Sequence, residues 1–277
     1  MTPVMSPKSW RWAGRTRAAD RLFELAAEEA TGALHLNGPW GGTIFLVQGR
    51  VDYVESMLTP GVEALLLRPP RTDEQSWAEL VPALRRGETV ETEAARSAAA
   101  RLLRSQLASD IDAEILRRTA SADAALAALG PAVPETARTR TRFRPDERHW
   151  CPSVRTFTVV DVLAEVDRRK AVLARMTLGI QPDRVVRRAP QLPIERVRLT
   201  ATQWNVARAA DGSRTAQDIA WQLGHGVFAT TMVIHQLARL GVLTADQESP
   251  ESPGPQMVPA RHVLSFLRAS AAGLHLE

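Results

Sequence analysis

The chain has 277 residues, 44% hydrophobic and 24% charged, with 35 basic against 31 acidic side chains and a formal net charge of +4. At about 100–150 residues per domain, this length accommodates two domains and a linker. No run approaches the ~20 apolar residues that cross a bilayer, the stretch from Met1 to Arg17 lacks the apolar core of a secretory signal, and one cysteine, Cys151, excludes an internal disulfide framework or a multi-cysteine zinc site. The composition therefore points to a cytoplasmic protein with no membrane partner.

An amphipathic helix is predicted from about Thr16 to Ala30, with Leu22, Phe23 and Leu25 facing a core and Gly32 ending it. Three short strands follow, Ala33–Leu36, Thr43–Val47 and Val51–Ser56. The last two are joined at Gln48-Gly49, where a two-residue hairpin favours glycine at positive φ. A helix built on Val62, Leu65 and Leu66 follows Pro60 and stops at Pro69-Pro70, and another covers Glu74–Arg86. The stretch Glu91 to Arg118 has neither Gly nor Pro. It predicts a helix of roughly 40 Å with Leu102, Leu103, Leu107, Ile111 and Ile115 on one face, which either packs within its own subunit or forms a homodimer surface.

Residues 131–155, with alternating Arg and Thr and four prolines, read as an exposed basic linker. A helix returns at Phe157–Met176, with Val159, Val162, Leu163, Val166, Val172 and Leu173 inward, and Arg187–Pro193 reads as a break. The predicted organisation is 1–90 (α+β module), 91–130 (helical connector), 131–155 (basic linker), 156–195 (connecting helix), 196–247 (compact C-terminal unit) and 248–277 (spacer and terminal helix, His262–Ala271). The net charge is not spread evenly. Residues 131–198 hold 15 basic and 8 acidic side chains, a surplus of seven, while the segments on either side are close to neutral.

The C-terminal unit parses as three helices and a strand. Thr200 or Thr202 caps the first helix, Thr215 the second, Gly224 to Gly226 make a turn, and the third helix, Phe228–Leu240, buries Met232, Val233, Leu237 and Leu240 before the strand Val242-Leu243-Thr244. With its "DGSRT…IA" start and "L..LGVL" exit, this segment resembles bacterial winged helix-turn-helix regulatory domains, and the resemblance implies double-stranded DNA as partner. The outward residues of the third helix would then be Thr230, Thr231, His235 and Arg239. Arg214, Arg196 and Arg198 flank the unit, and Arg138, Arg140, Arg142 and Arg144 form an arm that would track phosphates. The competing reading is a winged helix used for packing or for binding protein.

The N-terminal layout "G.L.L", "G.I.L..GRV..VES", "G.EAL" is carried by Gly32, Leu34, Leu36, Gly42, Ile44, Gly49, Arg50, Val51, Glu55, Gly61, Glu63, Ala64 and Leu65. It resembles the PATAN-type domain of bacterial regulators, which implies protein–protein contacts and signalling and no enzymatic activity. In the loop "NGPWGG", Trp40 is exposed or caps the sheet.

No phosphate-binding, dinucleotide-binding, zincin or nucleophile-elbow motif occurs. His149 and Cys151 are spaced for a metal but lack further ligands. The expected fold class is α+β: a small antiparallel sheet with helices, a helical middle segment and a winged helix-turn-helix. Two functions fit, a DNA-binding transcriptional regulator, or an adaptor whose modules bind proteins or peptides without contacting DNA. Neither calls for a cofactor, a metal or catalytic residues.

Overall fold

The computed structural model describes residues 17–38, 41–66, 110–130, 140–149, 151, 155–176, 178, 180–192 and 196–245. The predicted helix at Glu74–Arg86, the stripe Leu102 to Leu107, Trp40, Arg138 and the terminal helix lie outside these residues. The fold is α+β.

Helix α1 (Arg17–Ala27) ends earlier than predicted, and Glu29 takes the left-handed conformation (φ 50°) at its exit. Strands β1 (Gly32–Asn37), β2 (Gly42–Val47) and β3 (Arg50–Ser56) follow. Both residues of the Gln48-Gly49 turn have positive φ, 51° and 71°, which gives the two-residue turn a twist matching that of the strands it joins. Gly32 does not cap the helix. It opens β1, where a Cβ would sit 2.3 Å from the Arg144 carbonyl oxygen and 2.7 Å from the Phe143 ring.

After the short helix α2 (Val62–Leu66) come α3 (Asp110–Leu129), strand β4 (Arg140–Pro145) and helix α4 (Val159–Ala174). β4 overturns the linker reading at residues 140–145. It pairs antiparallel with β1 and completes a four-stranded sheet of order β3-β2-β1-β4. One sheet face carries Leu34, Leu36, Ile44, Leu46, Val51 and Val54 into a core shared with Leu22 and Leu25 of α1, Ala124, Ala125, Ala128 and Leu129 of α3, and Val159 and Val166 of α4. Phe143 packs against this core, and strand alternation puts Arg140, Arg142 and Arg144 on the opposite face. Ile115 is 54% exposed, so the predicted apolar face does not continue along α3. The side facing inward is Arg117, Ala120, Asp123, Ala124 and Ala128.

The C-terminal module begins earlier than predicted. β5 (Val185–Arg188) takes the first two residues of the expected break Arg187–Pro193, whose remaining described residues, 189–192, are neither helix nor strand, and it forms the middle of a three-stranded sheet of order β6-β5-β7. It is followed by α5 (Ala201–Ala209), β6 (Asp211–Thr215), α6 (Ala216–Leu223), α7 (Val227–Arg239) and β7 (Leu243–Ala245). Thr200 and Thr215 cap α5 and α6 with reciprocal capping boxes through Gln203 and Asp218, and Gly224 ends α6 in the left-handed conformation. The core joins Ile180, Val186, Val206, Ile219, Ile234, Leu237 and Leu243. A wing made of two strands after the third helix is not seen: among the described residues one strand follows α7, and the central position is taken by β5 from upstream.

Candidate nucleic-acid interface

The third helix is rotated relative to its sequence reading. Its buried residues are Val227, Thr230, Thr231, Ile234 and Leu237, a stripe at i, i+3, i+4 and i+7 spacing in which both threonines stand on the apolar face. Thr230 is 1% and Thr231 0% exposed, so neither reaches a base edge. The Thr231 hydroxyl donates back to the Val227 carbonyl at 2.8 Å, which lets a threonine take a core position without an unsatisfied group. Met232 and Val233 are half-buried, and Leu240 is 40% exposed. Of the predicted reading residues, His235 is half-buried and Arg239 is exposed in the last turn, the end opposite to the one that usually enters a groove.

The N-terminus of α7 is held inside the molecule. Its N-cap residue, Gly226, provides no side-chain acceptor. Asp123 of α3 supplies one: its Oδ2 accepts the Phe228 N–H at 3.4 Å, and the Val227 N–H also faces it. A Cβ on Gly226 would lie 2.8 Å from that oxygen and 3.0 Å from Thr119, so a side chain there would push the carboxylate away from the helix end. Asp123 also pairs with Arg169 of α4, whose Nε donates to Glu165 at 2.6 Å and whose guanidinium lies 4.7 Å from the Phe228 ring centroid. The Arg168 guanidinium stands 5.9 Å from the same centroid. A helix N-terminus favours a nearby anion, and here the anion is a carboxylate of the same chain.

Burial is the largest influence on Asp123 and raises its carboxyl above the ordinary range, against the opposing pull of Arg169 and the two amides. Glu165 moves the other way. Hydrogen bonds from Arg168, joined by those from Arg169, hold it at about 2 against an ordinary 4.5. A carboxyl with a lowered folded-state pKa stabilises the fold fully above 4.5, and that contribution disappears as pH falls toward 2. Glu165→Gln should therefore flatten the loss of stability between pH 4.5 and 2 in urea titrations; an unchanged slope would place that loss elsewhere.

The remaining basic residues do not form one arm. Arg140, Arg142 and Arg144 are exposed on β4, with Arg144 3.6 Å from Glu147. Arg196 and Arg198 are exposed on the approach to α5. Arg214 donates to the Ala209 carbonyl at 3.2 Å and to Asp211 at 2.5 Å. Arg168 and Arg169 are engaged with Glu165 and Asp123. The charge surplus of residues 131–198 is thus divided among β4, α4 and the start of the C-terminal module.

His149 and Cys151 fold onto the outer face of the N-terminal sheet, both buried. The His149 ring stacks on Tyr53 at 4.0 Å and meets Phe45 edge-on at 5.2 Å. The Cys151 N–H donates to its Nδ1 at 3.2 Å, leaving the Nε2–H to donate to Glu55 at 2.9 Å. Both ring nitrogens are therefore engaged within the protein, and no group of three His, Cys, Asp or Glu residues suited to a metal ion occurs among the described residues. A cavity of about 370 Å³ opens between α3 and α4 beside Arg118, Phe157 and Glu165, with the Arg118 guanidinium 5.1 Å from the Phe157 ring centroid. No described helix is long and apolar enough to cross a membrane. Comparison with protein-family models, with curated proteins and with solved structures gave no match.

Proposed function

We propose that the chain is a cytoplasmic adaptor whose PATAN-like and winged-helix modules bind proteins or peptides. The observation that carries this reading is the capping of α7 by Asp123: the end of the helix that a DNA reader inserts into the major groove is occupied by the chain itself, and Thr230 and Thr231 are buried beside it. Exposed aromatic side chains support it, since Trp204 (59% exposed) and Trp221 (39%) stand on α5 and α6, and tryptophan is enriched among the residues that anchor protein interfaces. The reading assigns the chain no reaction.

A DNA-binding transcriptional regulator is the second reading, favoured by the exposed Arg188, Arg196, Arg198 and Arg239 of the C-terminal module. It needs the N-terminus of α7 released from Asp123. Fluorescence anisotropy with a labelled mixed-sequence duplex, between about 50 and 200 mM salt, separates the two. The adaptor reading expects no saturable binding at physiological salt. Salt-dependent affinity that is lost in His235→Ala/Arg239→Ala would overturn it.

A further inference from the structure

We propose that β4 is a docking edge that takes up an extended segment of a partner protein carrying acidic side chains at alternate positions. This deepens the adaptor reading, on which it rests, by naming the partner chemistry of the N-terminal module.

The backbone register identifies the free groups. Gly32 pairs with Pro145, and the Asp146 N–H donates to the Thr31 carbonyl at 3.1 Å, one step further along the same ladder. Antiparallel pairs alternate between hydrogen-bonded and non-hydrogen-bonded. With Thr31 and Asp146 bonded, the bonded pairs are Ala33 with Arg144, His35 with Arg142 and Asn37 with Arg140. Thr141 and Phe143 therefore direct both N–H and C=O away from β1. Pro145 adds an outward carbonyl but has no N–H, which ends the free edge on that side. Among the described residues β4 pairs with β1 alone.

The side chains define what this edge accepts. Arg140, Arg142 and Arg144 project from one face at every second residue, about 6.7 Å apart. Arg144 has Glu147 nearby, whereas Arg140 and Arg142 form no ion pair among the described residues. Charges on an edge strand also discourage pairing between identical edges, and three arginines on one face repel a second copy of the same strand. That repulsion selects for an incoming strand of opposite charge. A strand bonded to Thr141 and Phe143 sets its intervening residues opposite the arginines in non-hydrogen-bonded pairs, where side chains approach most closely. Main-chain bonds supply affinity and the alternate side chains supply specificity, as in other β-augmentation complexes.

The test uses the full chain and a fluorescein-labelled peptide, TEVEVET, read by anisotropy. Saturable binding is expected. N-methylation of the two valine amides, which face β4, should weaken it at least about tenfold, whereas N-methylation of the glutamate amides should leave it intact. Arg140→Glu/Arg142→Glu should weaken binding by about tenfold or more, and Thr141→Pro, which deletes one outward N–H, should do the same. All these positions are exposed, so the thermal midpoint of each variant serves as the folding control. Absence of binding, equal binding of the valine-methylated peptide, or preferential competition by an oligothymidine of the same length would overturn the proposal; the last outcome would assign the arginines to nucleic acid. Duplex binding that depends on His235 and Arg239 would sink the adaptor reading and leave this peptide result standing.

Discussion

Replacing Asp123 by Ala is expected to lower the unfolding free energy by about 3–5 kcal/mol, the range for removing one partner of a buried ion pair. The substitution leaves the Arg169 guanidinium in a buried site with Glu165 as its remaining carboxylate, and strips the first turn of α7 of its acceptor. Against a typical total of about 5–15 kcal/mol, that is a large fraction. Asp123→Asn retains an acceptor for the Phe228 amide and should lose less. Asp123→Leu combined with Arg169→Met removes both charges together and should recover most of the loss. Arg169→Met alone is expected to show a pH dependence opposite in sign to the one expected from Glu165. Burial already raises the Asp123 carboxyl and Arg169 opposes that rise, so without the arginine the pKa climbs further. A folded-state pKa above the unfolded one penalises stability at high pH and relieves the penalty as the group protonates, so this variant should regain stability on acidification. Guanidinium unfolding at several pH values measures all four proteins. A loss below about 1 kcal/mol for Asp123→Ala would mean that the α7 contact does not hold the modules together.

The same contact explains how the two halves of the chain relate. α3 and α4 serve the N-terminal core through Ala124, Ala128, Val159 and Val166, and they serve α7 through Asp123, Arg168 and Arg169 on another side. One pair of helices thus carries both modules. A displacement of α3 or α4 would therefore also move the acceptor that holds the first amides of α7.

What was legible in the sequence was local. The Gln48-Gly49 hairpin, the cap at Thr215, the cap expected at Thr200 or Thr202 and found at Thr200, and the turn that Gly224 opens each depend on residues within a few positions of one another, and each is found in the structure. What was missed is held by distant partners. β4 has one inward aromatic residue, Phe143, among three arginines, a threonine and a proline, so its sequence reads as solvated linker; its partner β1 lies more than a hundred residues away. Asp123 stands on an alanine-rich helix, 46 residues before Arg169 and 105 before Phe228. One signal did point to it: α7 begins at a glycine with no Ser, Thr, Asp or Asn to cap it, so its first amides needed an acceptor from elsewhere. The rotation of α7 follows from the ambiguity of "VFATTMVIHQLAR", where counting threonine as polar turns the helix by about one residue.

Val186→Asp is expected to unfold the C-terminal module while leaving the N-terminal sheet intact. Val186 is fully buried in the central strand of the β6-β5-β7 sheet, paired on one side with Arg214 and on the other with Ala245. A carboxylate there would meet Ile180, Ile219, Ile234 and Leu243 of the same core. Burying an unpaired charge belongs to the class of substitutions that cost more than about 4 kcal/mol. Val186→Ala removes packing without adding charge and should cost about 1–3 kcal/mol. Hydrogen exchange read by mass spectrometry gives the location of the damage: amides in 201–243 should lose protection, while those in 32–56 keep theirs. Loss of protection throughout the chain would show that the modules unfold as one cooperative unit. Retained protection in 201–243 would remove β5 from the C-terminal core and restore the boundary near residue 196 that the sequence suggested. The strand that completes this sheet enters before its first helix, and the experiment asks whether three helices and two short strands persist without it.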